Sequence, residues 1–328
     1  MSYSCIDVFN HCLPPPYVEA CRAVQTRDLI MFDRAVDRPG MCDRDERIQI
    51  MAPFPGYRQI LSLSSPSPEV ITTPEKSPRL ARIGNEAMAQ WCSDCPRHFP
   101  GFVASLPLNR PEAALEEASY AIDQLGALGV QLYTSVNGLP LDRPEFLAIF
   151  ELMAQLDQPV WLHPIRGANP GDYPGEEVSK YDLWWAFGWP HETSICAGRL
   201  VFSGLFDKWP DLKVITHHAG GAIPMMEGRL QHGFDAKAPR HSSDRNGETM
   251  PKLSMEPVKA FGKFYADTAT FGSRLAMKAG LAFFGPSQCL FATDFPFAGI
   301  RETLVSAQGL PQEIFITNAE RILRIPRT

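Results

Sequence analysis

Short apolar runs recur along the chain, separated by longer stretches in which apolar positions return every three or four residues. The runs are Cys5–Phe9, Gln59–Leu63, Gly101–Ser105, Val130–Tyr133, Val160–His163, Lys213–His217, Phe264–Asp267 and Cys289–Thr293. Most are rich in β-branched or aromatic residues and apolar throughout, as expected of strands buried on both faces of a parallel sheet. The stretches between them carry helical periodicity. Pro111–Leu128 places Ala114, Ala118, Ile122 and Leu125 on one face and meets Gly129 as a stop, and Pro144–Leu156 repeats the arrangement with Phe146, Ile149, Phe150 and Met153. Eight strands alternating with helices predict a closed (β/α)₈ barrel of the TIM type rather than an open doubly wound sheet.

Proline marks the expected connections. Pro14–Pro16 and the segment Ser64–Pro78, with four prolines and four serines, read as loops, because proline removes a backbone donor and stops regular elements. Residues 14–55 are too many for a simple first connection and are expected to form an insertion over the barrel mouth. With no internal repeat and no linker-like tract, residues 1–328 read as a single barrel domain.

The chain has 328 residues, 45% of them hydrophobic and 21% charged, with a formal net charge of −6. The absence of a basic patch argues against a nucleic-acid partner. No run approaches the roughly 18 apolar residues of a membrane span, and the N-terminus carries no recognisable secretion signal. Eight cysteines without framework spacing fit a reduced, cytoplasmic setting. Cys92 and Cys95 have CxxC spacing but no second pair to complete a zinc site, so they read as the end of a helix through Ile83–Trp91.

In a (β/α)₈ barrel, chemistry gathers at the C-terminal ends of the strands. There the sequence places His11, His163, His217-His218, Asp267 and Asp294, a set of nitrogen and oxygen donors suited to a divalent metal. Asp267 reads either as part of the set or as a residue that orients a neighbour or caps a helix. His98, His191, His232 and His241 fall elsewhere in the pattern; His191 reads as a pocket wall or as a loop residue near a helix start. The segment Lys180–Thr193 reads as a loop whose Tyr181, Trp184, Trp185, Phe187 and Trp189 suit either a flat apolar ligand or a dimer interface.

Four motifs carry a resemblance: Ile6-Asp-Val-Phe-Asn-His11-Cys-Leu-Pro14, Val160-Trp-Leu-His163-Pro164, His218-Ala-Gly-Gly-Ala-Ile-Pro224 and Ala292-Thr-Asp294-Phe-Pro296. In this order and spacing the chain resembles the amidohydrolase-related decarboxylases, the group of aminocarboxymuconate-semialdehyde decarboxylase and the resorcylate decarboxylases. The resemblance implies that His11, His163 and Asp294 are metal ligands and that His218 is the acid/base, with Asp294 sharing the catalytic work. His217 is then the structural last residue of its strand.

In that family the first strand ends in His-x-His or Glu-x-His. Here Phe9 stands at the first of those positions, and a phenyl ring cannot coordinate a cation. Three ligands remain, enough for zinc or manganese, although a metal-free site is the alternative. Asp7 lies too deep to substitute, and Asn10 points away if the strand is regular. Phe9, Asn10, His191, Trp184 and Trp189 are the expected substrate-facing residues. Arg229, eleven residues after His218, matches an arginine that reaches a neighbouring subunit's substrate in the family, which implies a homodimer and a small carboxylate substrate. The leading expectation is non-oxidative decarboxylation of an unsaturated or aromatic acid. The alternatives are a hydrolase or hydratase of a small cyclic or unsaturated acid, a metal-free acid/base enzyme of the tautomerase or cyclase kind, and a binder without catalysis.

Overall fold

The computed structural model describes residues 4–27, 29–233 and 253–325, so His241 lies outside the described residues. Parallel pairing runs from β1 (Cys5–Cys12) to β2 (Tyr57–Leu63) and on to β3, which is Gly101–Phe102 continued by Ala104–Ser105. It then passes through β4 (Val130–Tyr133), β5 (Val160–His163), β6 (Val214–Thr216), β7 (Tyr265–Asp267) and β8 (Cys289–Leu290). Val8 N donates to Phe291 O at 2.9 Å and Asp294 N to Phe9 O at 3.0 Å, which joins the last strand to the first. The sheet closes into a (β/α)₈ barrel.

Two apolar layers hold it. Ile6, Val8, Ile60, Val103, Trp161, Ile215, Leu290 and Ala292 fill the barrel interior, while a larger cluster packs the strands' outer faces against the helices. Trp161 belongs inside because its indole N–H finds a partner there, Val8 O at 2.8 Å.

Several expected loops are helical. Pro15 and Pro16 open the helix Pro15–Val24, and the Ser64–Pro78 connection contains the short helix Pro68–Ile71 and the start of Ser77–Asp94. Proline is favoured in a helix's first turn because the N–H it lacks has no acceptor there. The same logic corrects the Lys180–Thr193 loop: Trp184–Gly188 forms a π-helical turn that runs into the helix Trp189–Phe202, with Pro190 at its start. Residues 14–55 hold three helices, Pro15–Val24, Ile30–Val36 and Arg44–Met51. The last is capped by Asp43, whose side chain accepts from the backbone N–H groups of Asp45 and Glu46. Cys92 lies in the last turn of Ser77–Asp94 and Cys95 caps it, and all eight cysteines are free thiols.

Candidate active site

Strand β1 is irregular where it matters. Between Asp7 and Asn10 its register against β2 shifts, so Val8 and Phe9 together face Ile60. A bulge of this kind re-aims side chains. Asp7, fully buried below it, anchors the bulge by accepting from Thr293 Oγ1 and N, Tyr57 OH and Phe9 N. Burial pushes its carboxyl up to about 6 against those donors. Asn10 turns away from the centre: its amide donates to Asp7 O and Ile60 O and its Oδ1 accepts from Arg47 at 2.5 Å. With both ends of the amide taken, the expected substrate-facing role of Asn10 does not fit.

The barrel brings His11, His163, His217, His218 and Asp294 together, and all except His218 are almost completely buried. Asp294 Oδ1 lies 3.1 Å from His11 Nε2 and 3.5 Å from His217 Nε2, and its Oδ2 lies 3.6 Å from His218 Nε2. None of the three nitrogens has an aligned hydrogen bond among the described residues. His163 Nδ1 donates to Pro164 O at 2.6 Å, which leaves Nε2 as that ring's free donor atom. Asp267 accepts from His217 Nδ1 at 2.5 Å and from the backbone N–H of Ala219 and Ala269. It therefore orients a neighbour, one of the roles the sequence left open.

The electrostatics divide these groups. Burial alone would raise Asp294, but the imidazoles of His11, His217 and His218 outweigh it and hold the carboxyl well below the usual range. Burial lowers His11, His163 and His218, and neighbouring imidazoles lower all three further. His217 is the exception: burial opposes its charge, yet Asp267 and Asp294 together raise it to about 9. His218, Ala219 and Asp294 all sit at positive φ (55°, 55° and 65°), a conformation that side chains rarely adopt and that concentrates at working sites.

Among the described residues two donor groups emerge, the buried His11–His163–His217 and the largely buried His217–His218–Asp294, each with ligand atoms within 4.8 Å of one another. The donor chemistry fits a divalent cation: several buried imidazole nitrogens without an aligned hydrogen bond and one ionised carboxylate. His217, which the sequence suggested was structural, belongs to both groups. Phe9 packs inside the cluster, its ring stacked on His217 with centroids 3.8 Å apart.

Above the cluster a small cavity is lined by Met31, Ser64, Ser65, His163, Trp185, Trp189, Asp294 and Phe297. Trp189 donates its indole N–H to Arg166 O and lies 5.4 Å from the His163 ring, and Trp184 packs behind it. Phe271 stacks on the outer side of His218. His191 and Arg229 are exposed, on the helices Trp189–Phe202 and Glu227–Gly233, and neither lines the cavity. The sequence reading passed over Met31, Ser64, Ser65 and Phe297. It also passed over Arg47, a buried cation that donates to Gln59, Asn10, His11 O and Gly40 O directly behind the His11 backbone.

The amidohydrolase family model matches residues 6–325. The chain belongs to the amidohydrolase family. Among curated relatives, this amidohydrolase is 32% identical to a gamma-resorcylate decarboxylase of a Polaromonas species, over 78% of each chain. It is 30% identical to the 2-amino-3-carboxymuconate-6-semialdehyde decarboxylase of Dictyostelium discoideum, over 89% of this chain and 75% of the relative. The solved 2,6-dihydroxybenzoate decarboxylase from Rhizobium superposes with a TM-score of 0.80 at 25% identity, covering 99% of both chains. A dihydroxybenzoic acid decarboxylase from Polaromonas, solved with manganese and 2-nitroresorcinol, gives 0.79 at 25% identity, covering 100% of this chain and 98% of that one.

Proposed function

We propose that this amidohydrolase removes CO₂ without oxidation from an aromatic or closely related unsaturated carboxylic acid. The observation that carries the reading is the ionised Asp294 beside His218 at the floor of an aromatic-walled cavity. The relatives, which are decarboxylases of such acids, support it.

Trp185 and Trp189 present flat apolar surface to a ring, and Ser64 and Ser65 add hydroxyls to the lining. The His218–Asp294 pair delivers a proton to the ring carbon that bears the carboxylate. The C–C bonding pair then returns to the ring as CO₂ leaves, and the delivered proton takes the place of the carboxylate on the product. Burial disfavours a charged His218 imidazole while the Asp294 carboxylate beside it favours the protonated form, so the proton that His218 delivers is one it takes up from solvent in each turnover.

His11, His163 and Asp294 are the residues that would hold a divalent metal, with zinc and manganese the candidates. When bound, such an ion supplies Lewis-acid anchoring for the substrate carboxylate and an adjacent oxygen. Elemental analysis of purified protein distinguishes the two metals.

The working unit we assign is a cytosolic homodimer of single barrel domains, with residues 14–55 covering each mouth. Met31 on the cavity wall supports the cover. Exposed Met225 and Met226, in the turn that leads directly into the helix bearing exposed Arg229, support the dimer. In this reading Arg229 binds the substrate carboxylate in the partner's site. Free cysteines suit the reducing cytosol, and among the described residues no helix is long and apolar enough to cross a membrane. The direct test is CO₂ release from a panel of hydroxybenzoates. Solvent ¹⁸O appearing in the product without CO₂ release would instead identify a hydrolase or hydratase.

A further inference from the structure

The first strand contributes a single donor, His11, to the cluster, and beside it the strand packs the phenyl ring of Phe9 against the imidazoles. We infer that His217, from the sixth strand's end, supplies the missing donor, so that the metal is held by His11, His163, His217 and Asp294. The inference rests on the reading that this site takes a divalent cation.

Three observations converge on His217. It is the one residue common to both donor groups, so it stands between the His11–His163 side and the His218–Asp294 side. Its ring is fixed from behind: Nδ1 donates to Asp267 Oδ2 at 2.5 Å, and Asp267 is itself held by two backbone N–H groups. A carboxylate on one ring nitrogen sets the tautomer that leaves the other free for metal, and it raises that nitrogen's basicity. Finally, the free nitrogen, Nε2, is buried without a hydrogen-bond partner and faces Asp294 Oδ1 at 3.5 Å.

Phe9 then has a positive role. Its ring stacks on His217 at 17° between planes and walls the imidazole on one side, while the His218 ring stacks on it at 3.8 Å. A histidine at position 9 would crowd the same space as a second donor. Exchanging the two positions keeps the donor number and moves one ligand from the first strand to the sixth.

The test measures metal rather than turnover. Full-length protein is loaded with Mn²⁺ or Zn²⁺, and content and affinity are read by elemental analysis and chelator competition. Wild type is expected to hold one ion per chain, and His217→Ala to lose affinity by at least about 10-fold. Asp267→Asn keeps the ring but loses its orienting partner, and is expected to weaken binding by about 10–100-fold. Phe9→His in the His217→Ala background is expected to recover most of the loss, which a merely misfolded variant would not show. If His217→Ala keeps wild-type affinity while His11→Ala abolishes it, the inference is overturned and the metal reading stands. If wild type takes up no ion, both fall.

Discussion

Asp294 collects three imidazoles on a backbone held at positive φ, a conformation that costs on the order of 1 kcal/mol or more and is kept only when the surroundings over-determine it. His218, next in line and equally strained, is the group whose ring faces both Asp294 and the aromatic wall. His218→Ala is expected to lower kcat by at least about 10²-fold, the usual contribution of a positioned acid/base. The circular dichroism spectrum should remain unchanged; near-wild-type CO₂ release would remove His218 from the proposed role. Glu69 makes a different residue-scale prediction. Its buried carboxyl is pushed up by burial from an ordinary 4.5 to about 7. Between those values the unfolded chain is ionised while the folded one must bind a proton, so stability falls as pH rises through this window and levels off above it. Glu69→Gln removes the penalty. The variant should gain about 3 kcal/mol over wild type at pH 8, roughly 4 °C in Tm for a chain of this size, and much less at pH 5. A Tm difference equal at both pH values would mean that the carboxyl's ionisation is not responsible.

At the scale of elements, the regular strands were the legible part. Val130–Tyr133 and Val160–His163 appear with the bounds their apolar runs mark, because strands buried on both faces leave a continuous hydrophobic signature. Pro14–Pro16 and Ser64–Pro78 misled for one reason: proline stops a helix from within but suits its first turn, and the sequence alone does not say which applies. The candidate site was legible as a list of strand ends but not as a geometry. His217 and His218 are adjacent in sequence, and two neighbours on a regular strand point to opposite faces. The positive φ at 218 breaks that rule and brings both rings into one stack. The β1 bulge likewise has no sequence signal beyond Asp7, whose partners come from β2 and residue 293. Arg47 was invisible because its partners are mostly carbonyls and amides brought to it by the fold. It bonds the helix Arg44–Met51 to the end of β1, and its removal would leave His11 O, Gly40 O and the Asn10 and Gln59 side chains without their donor. Arg47→Met is expected to cost about 3 kcal/mol or more in chemical denaturation, since hydrogen bonds to a buried charge are the costly kind to lose. A loss under about 1 kcal/mol would show that the helix does not depend on this anchor.

For the whole molecule, the proposed dimer makes a site that no single chain completes: His218 from one subunit and Arg229 from the other. Arg229 is exposed on its own chain and does not line its own cavity, so a role in substrate binding requires a second copy. Arg229→Ala should raise KM for a carboxylate substrate by about 10–100-fold, the loss of a charge-assisted hydrogen bond, with little change in kcat. The stronger consequence is complementation. Arg229→Ala and His218→Ala homodimers are both poorly active at low substrate. Subunit exchange between them yields mixed dimers in which one site has both wild-type residues and the other has neither. Half the population is mixed after random exchange and each mixed dimer has one intact site, so activity should recover to about a quarter of wild type. Recovery should follow the kinetics of exchange and disappear if the subunits are cross-linked before mixing. If the mixture stays at the average of its two components while mass spectrometry shows mixed dimers, Arg229 serves only its own chain, or no site at all, and the shared active site is wrong.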